Sequence, residues 1–191
     1  MAQFRSTLVA ALLAIGAPIT AHAQAGTQTK RPAVSLSAGA FRFNLPDGVG
    51  TTPLVAGRIE LPLSRFFLAE GGLALARPEQ WFTSATVTTL NPDPRFATTT
   101  TYLIPELQLQ VQAPLAAGRV APYLGLGTGI ANDRWPSKYG GSKGTYTVSG
   151  STGLRYWLSD RVGLRGELRV RDVGTSDGTA SEWTLGTAWR F

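Results

Sequence analysis

From Leu103 to Val111 apolar and polar residues alternate almost without interruption. On an extended chain Leu103, Leu107, Leu109 and Val111 share one face, and Tyr102, Glu106, Gln108, Gln110 and Gln112 share the other. A helix, with its 3.6-residue period, would scatter both sets around its circumference; only a strand keeps them apart. The same pattern returns at 161–171, where Val162, Leu164, Leu168 and Val170 oppose Arg161, Arg165, Glu167, Arg169 and Arg171. It returns again at the C-terminal end, with Trp183, Leu185, Thr187, Trp189 and Phe191 set against Glu182, Thr184, Gly186, Ala188 and Arg190. Such a chain must build a sheet with two unlike faces.

Weaker alternation extends the reading to eight strands, at 33–43, 53–63, 65–76, 99–113, 119–131, 145–158, 161–172 and 180–191. Each has about the 9–11 residues that a tilted strand needs to cross a hydrocarbon layer, or more. Pro105 lies on the apolar face of its strand and is expected to weaken the ladder locally. The connections alternate in length. Short ones fall near Leu63-Ser64, at 114–118 and near Ser159-Asp160; longer ones fall at 44–52, 77–98, 132–144 and 173–179. An even number of strands joined by tight turns at one end and long loops at the other is the pattern of a membrane β-barrel.

Alternation alone does not say which face looks outward, and a soluble ligand-binding barrel would have the opposite polarity. Charge decides it. Arg58, Glu60, Glu70, Glu106, Arg155, Arg165, Glu167, Arg169 and Glu182 occupy polar-face positions. On a lipid-facing surface each Arg at the midplane would cost about 2–4 kcal/mol, and several would exceed the whole net stability of a domain, about 5–15 kcal/mol. Inside a closed cylinder opposite charges can pair, and an eight-stranded lumen is narrow enough to be filled by side chains. These nine residues are therefore expected to form an inward-facing charge network. Aromatic residues point the same way: Tyr123, Tyr156, Trp189 and Phe191 fall near the short-turn end, Tyr146 and Trp183 toward the loop end, as two interfacial girdles would. The three lysines, Lys30, Lys138 and Lys143, all fall in predicted tails or loops. The fold expected is all-β, a closed antiparallel up-and-down transmembrane β-barrel of eight strands.

The N-terminal residues read differently. Arg5, the apolar run Leu8 to Ile15, Pro18 and Ala21-His22-Ala23 have the three-part pattern of a secretory signal peptide cleaved after Ala23. The expected organisation is a leader at 1–23, a periplasmic segment at 24–32 and a barrel domain at 33–191. The formal net charge is +6. Its arginines are spread singly along strands rather than clustered, which argues against nucleic acid as a partner. The chain has no cysteine, and His22, its one histidine, lies in the leader. Without the side chains that most often serve as base or nucleophile near neutral pH, no enzyme is expected, and no catalytic, cofactor or metal site. The run Gly125-Leu126-Gly127-Thr128-Gly129 is superficially like a nucleotide loop, but its glycines alternate within a strand and no helix follows.

Three segments carry a family resemblance. Residues 150–169, Val120-Ala-Pro-Tyr-Leu-Gly-Leu-Gly, and the ending Trp189-Arg190-Phe191 resemble strands of small outer-membrane barrels of the outer-membrane-protein-A/opacity-porin type. The likeness covers 33–191 and is specific for architecture rather than activity. It implies residence in the cell outer membrane, contact with its lipid and lipopolysaccharide, and an ending, Trp189 and Phe191, read by the barrel-assembly machinery. No periplasmic peptidoglycan-binding domain is expected after the barrel. A structural or surface-interaction role through the external loops is expected, with Trp81, Phe82, Arg134, Trp135, Lys138 and Lys143 as candidate contacts for a ligand the residues do not identify. A small channel is the alternative. If the terminal aromatic is an assembly signal, Phe191→Ser slows insertion in cells more than it loosens a barrel already folded. Pulse-labelling of insertion alongside denaturant unfolding of purified protein checks this; normal insertion kinetics would refute it.

Overall fold

The computed structural model describes residues 31–43, 51–83, 95–99, 101–134, 142–172 and 179–191. Among these residues ten strands form, numbered along the chain: β1 Ala33–Phe43, β2 Thr52–Pro62, β3 Phe67–Ala76, β4 Glu79–Thr83, β5 Arg95–Thr99, β6 Thr101–Gln112, β7 Val120–Arg134, β8 Ser142–Trp157, β9 Val162–Asp172 and β10 Thr179–Arg190. Eight of them close a barrel in the order β1-β10-β9-β8-β7-β6-β3-β2, every neighbour antiparallel. The eight-stranded cylinder expected from alternation is thus present.

Two features depart from the sequence reading. The connection 77–98 is not simply a loop: β4 and β5 pair as a two-stranded ribbon outside the barrel, from Glu79↔Thr99 to Thr83↔Arg95. Five residues per strand give too short a run of alternation to register, and the Thr-rich stretch after Phe96 blends into β6. Strands β7 and β8 also run on past the expected boundaries, paired as far as Arg134↔Ser142. The extension is polar or glycine throughout, Asn132-Asp133-Arg134 against Ser142-Lys143-Gly144, so no alternation marks it. Lys143, expected in a loop, is on β8 for the same reason.

Two of the three short turns share a local solution. In Leu63-Ser64 the two backbone N–H groups donate to the Phe67 carbonyl, while Ser64 Oγ accepts from the N–H groups of Phe66 and Phe67. Leu158-Ser159 repeats the device with Val162 as carbonyl partner and Arg161 and Val162 as donors. A Leu-Ser pair followed by a charged residue, Arg65 or Asp160, is thus one reusable hairpin, in which the hydroxyl bonds nearby backbone as turn serines do. The third turn brings Ala116, Ala117 and Gly118 to positive φ in succession, a conformation that costs alanine energy.

Sidedness follows the charge argument. Leu185 is 76% exposed on the outer wall, and Leu36, Ile59, Leu107 and Leu126 form part of the same apolar band. Phe66, Phe67, Tyr156, Trp189 and Phe191 are exposed near the short-turn end, with Tyr146 and Trp183 toward the loop end. Tyr123 departs from the expected girdle. It is 3% exposed and points into the lumen, because its register puts it on the inward face of β7.

The seam between first and last strands runs from Ala33↔Arg190 to Phe43↔Ala180. Two glycines make it possible. A Cβ on Gly39 would stand 1.7 Å from the Trp183 carbonyl oxygen, and one on Gly186 would stand 2.2 Å from that of Leu36. Backbone is what they would strike, so no side chain can give way. At Pro105 the ladder is interrupted: β6 pairs with β7 at Leu103↔Asn132 and resumes only at Glu106↔Gly129. Gly186→Ala should therefore destabilise the barrel by about 1–3 kcal/mol, as overpacking does. Gly57→Ala, where a Cβ meets nothing within 4 Å, should leave stability unchanged. Urea unfolding in micelles, followed by loss of the heat-dependent gel shift, separates the two; equal midpoints would dismiss the seam constraint.

Candidate functional site

The lumen holds the chain's concentrated chemistry. Consecutive inward residues of a strand lie about 6.6 Å apart along its axis, so β9 delivers Arg165, Glu167, Arg169 and Arg171 at successive depths. Strand β2 supplies Arg58 and Glu60, β3 Glu70, β6 Glu106, β8 Arg155 and β10 Glu182. All of these are buried. Among the described residues the buried charges comprise five arginines and five glutamates, so the belt carries no net formal charge.

Arg165 is its hub. It is 1% exposed, and its Nη1 donates to Glu60 at 2.7 Å and to Glu70, while Nη2 donates to Glu167. Its Nε donates to the Tyr123 hydroxyl at 3.0 Å, and that hydroxyl donates in turn to Glu167 at 2.7 Å. Arg58 reaches across the lumen from β2 to Glu167 at 2.9 Å and also donates to Ser37 of β1. Arg169 bridges Glu106, Glu70 and Glu167. Arg171 joins Glu106 to Glu182, the latter at 2.8 Å. Arg155 faces Glu60 at 2.9 Å, donates to Gln110, and lies over the Tyr123 ring at 4.0 Å.

Every charged residue expected in the network has its side chain inside, and the structure brings all nine together. Arg171, Gln108 and Gln110, placed on polar faces by alternation, and Tyr123 join the network without having been named among the nine. Arg171 sits on the same β9 face as Arg169. Gln108 and Gln110 relay hydrogen bonds to Ser151 and Glu70, and Tyr123 resembles any interfacial aromatic until its register is known. The alternating glycines of β7 make the room. A Cβ on Gly125 would stand 2.6 Å from Gln108 Nε2, and one on Gly127 2.6 Å from Glu106 Oε1. The glycine run is thus the bare wall against which β6 lays its polar side chains, and it lies in a strand.

The two ends of the lumen differ. Toward the long loops, Phe41, Leu54, Tyr102 and Ile104 pack with small alanines into a buried apolar cluster. Toward the short turns, Ala33, Trp157 and Ala188 form a smaller one. The candidate surface contacts scatter by comparison. Trp81 and Phe82 fall on β4, paired with Ala97 and Phe96. Arg134 and Lys143 end the β7–β8 extension, while Trp135 and Lys138 lie outside the described residues. Trp189 and Phe191 are exposed at the short-turn end, where the Phe191 N–H donates to the Pro32 carbonyl. Among the described residues no group of acidic or histidine side chains is arranged to hold a metal.

A buried partner cannot be removed without stranding the rest. Glu106→Leu leaves Arg169 and Arg171 each short of a carboxylate and should destabilise by about 3–5 kcal/mol, the usual cost of breaking a buried ion pair. Glu106→Gln, which keeps the hydrogen-bonding shape, should cost less. Equilibrium unfolding in micelles measures both, and an unchanged midpoint for the Leu variant would show that the pairing carries no stability.

The outer membrane protein beta-barrel domain family matches residues 7–191. No curated protein matches the chain. Among solved structures, Neisserial surface protein A is similar with a TM-score of 0.66 at 13% identity, over 84% of this chain and 97% of that one. Ail, the attachment invasion locus protein of Yersinia pestis, in complex with the heparin analogue sucrose octasulfate, gives 0.58 at 15%, over 84% and 98%. The outer membrane protein OprG from Pseudomonas aeruginosa gives 0.58 at 12%, over 85% and 97%. At such identities the likeness is one of fold.

Proposed function

Because the chain belongs to the outer membrane protein beta-barrel family and its barrel resides in the outer membrane, we propose that it is a non-enzymatic anchor that presents its long-loop end to ligands at the cell surface. The observation that carries this reading is the filled lumen. Ionic belt and apolar cluster stand in series, and a solute crossing the barrel would have to part both. That arrangement favours a rigid support over the channel alternative. The β4–β5 ribbon and the β7–β8 extension project paired backbone beyond the barrel wall, which holds surface-exposed segments in place better than open loops do.

The remaining parts of the reading follow from the sequence. Residues 1–23 act as a cleaved export signal, 24–32 remain on the periplasmic side, and Trp189 and Phe191 are presented to the assembly machinery. Lipid meets the outer apolar band. For the loop end, the basic residues Arg134, Lys138 and Lys143 favour an anionic ligand, the chemistry of lipopolysaccharide or of a sulfated sugar such as the one bound to Ail. Replacing 79–99 by a short turn, and separately making Lys138→Glu/Lys143→Glu, should leave the gel shift of the folded barrel intact. Each should weaken binding to lipopolysaccharide vesicles or to sucrose octasulfate by about tenfold or more, equivalent to losing one good contact. Binding unaltered in both variants would remove the loop end from the account.

A further inference from the structure

We propose a second ligand site at the opposite end: the short-turn mouth holds an oxyanion of the phosphate class. A cavity of about 90 Å³ opens there, lined by Arg31, Glu60, Arg65, Arg155, Trp157 and Arg190 among others. That is room for several waters, or for one tetrahedral anion. The charge is lopsided. The belt above is neutral, so the cavity lining, with Arg31, Arg65, Arg155 and Arg190 against Glu60, carries an excess of positive charge. Glu60, the carboxylate in that lining, is shared among several arginines: Arg165 takes its Oε1 at 2.7 Å and Arg155 faces its Oε2 at 2.9 Å, while its charge also acts on Arg190.

Arg155 supplies the specific feature. It is 2% exposed and lines this cavity, yet its Nη1 has no hydrogen-bond partner. Its Nη2 is committed to Gln110 and its plane is held over Tyr123, so the guanidinium cannot turn to satisfy the idle edge elsewhere. A buried donor left unpaired on a charged group is costly, and natural structures almost always satisfy it. Arg190 is likewise pinned flat, 3.4 Å over the Trp157 ring, which leaves its N–H edge for a ligand. Arginine edges are suited to oxygens spaced as they are in phosphate. Convergence of one buried and three rim guanidiniums asks for an acceptor with several oxygens, which chloride lacks. A phospholipid headgroup and a free phosphate share that chemistry. The site is independent of the loop-end role, being built from different residues at the other mouth.

The test uses the full chain folded in dodecyl maltoside micelles, whose headgroup carries no phosphate, titrated with inorganic phosphate at ionic strength held constant with sodium chloride and followed by NMR of arginine Nε–H signals. A saturable response is expected. It should weaken by about tenfold or more in R31Q/R65Q, whose side chains reach solvent, and in R155K, which keeps the charge but loses the idle edge. The heat-dependent gel shift confirms that each variant is folded, and the rim variant carries the test alone if R155K is not. In these phosphate-free micelles the response should persist until a phospholipid competes for the site. If adding phosphatidylglycerol suppresses it, the occupant is a lipid headgroup; if not, it is soluble phosphate. No saturation beyond that given by chloride, or wild-type binding in the folded variants, overturns the proposal.

Discussion

Backbone amides surrounded by hydrocarbon have no water to bond, so a sheet in a membrane survives only without edges. In this protein the requirement comes down to the seam between β1 and β10, where the chain's two ends meet in register from Ala33↔Arg190 to Phe43↔Ala180. Gly39 and Gly186 let the backbones approach there. Once that seam is shut the remaining geometry is constrained: eight strands set the lumen's width, and that width is a side chain from each wall. What fills the lumen then depends on which residues face inward.

The filling is ionic at the centre. Apolar packing would be at least as stable in principle, because burying charges costs desolvation that pairing only repays when geometry is good. Here Arg165 alone engages three carboxylates and a tyrosine, and contacts from Arg58 and Arg169 tie β2, β3 and β6 to β9 across the lumen. Pairing of this kind ties strands that share no ladder and so specifies which faces look inward. Equal numbers of buried Arg and Glu also keep a long-range field out of the low-dielectric wall.

The ends of the cylinder carry the individuality. Beyond the belt lies an apolar stopper on the loop side and a cationic recess on the turn side. A family fold of this type hosts many roles, and the role belongs to the site rather than the scaffold.

Much of this was legible along the chain. Alternation with a period of two depends only on neighbours, so strand locations, strand number and the inward set from Arg58 to Glu182 could be read from residues alone. The β4–β5 ribbon could not, because five residues per strand are too few to display a period of two. Nor could partners: one Arg opposite one Glu is a matter of strand order and stagger, which is why Arg169 and Arg171 as the ligands of Glu106, or Tyr123 as an interior donor, appear only once the barrel is closed. By itself the sequence determined which residues meet lipid and which do not, since that is set by hydrophobicity repeated at short range. Tertiary structure decided which charges pair, which donor on Arg155 stays idle and where the seam admits no Cβ, because each of these is a distance between residues far apart in the chain.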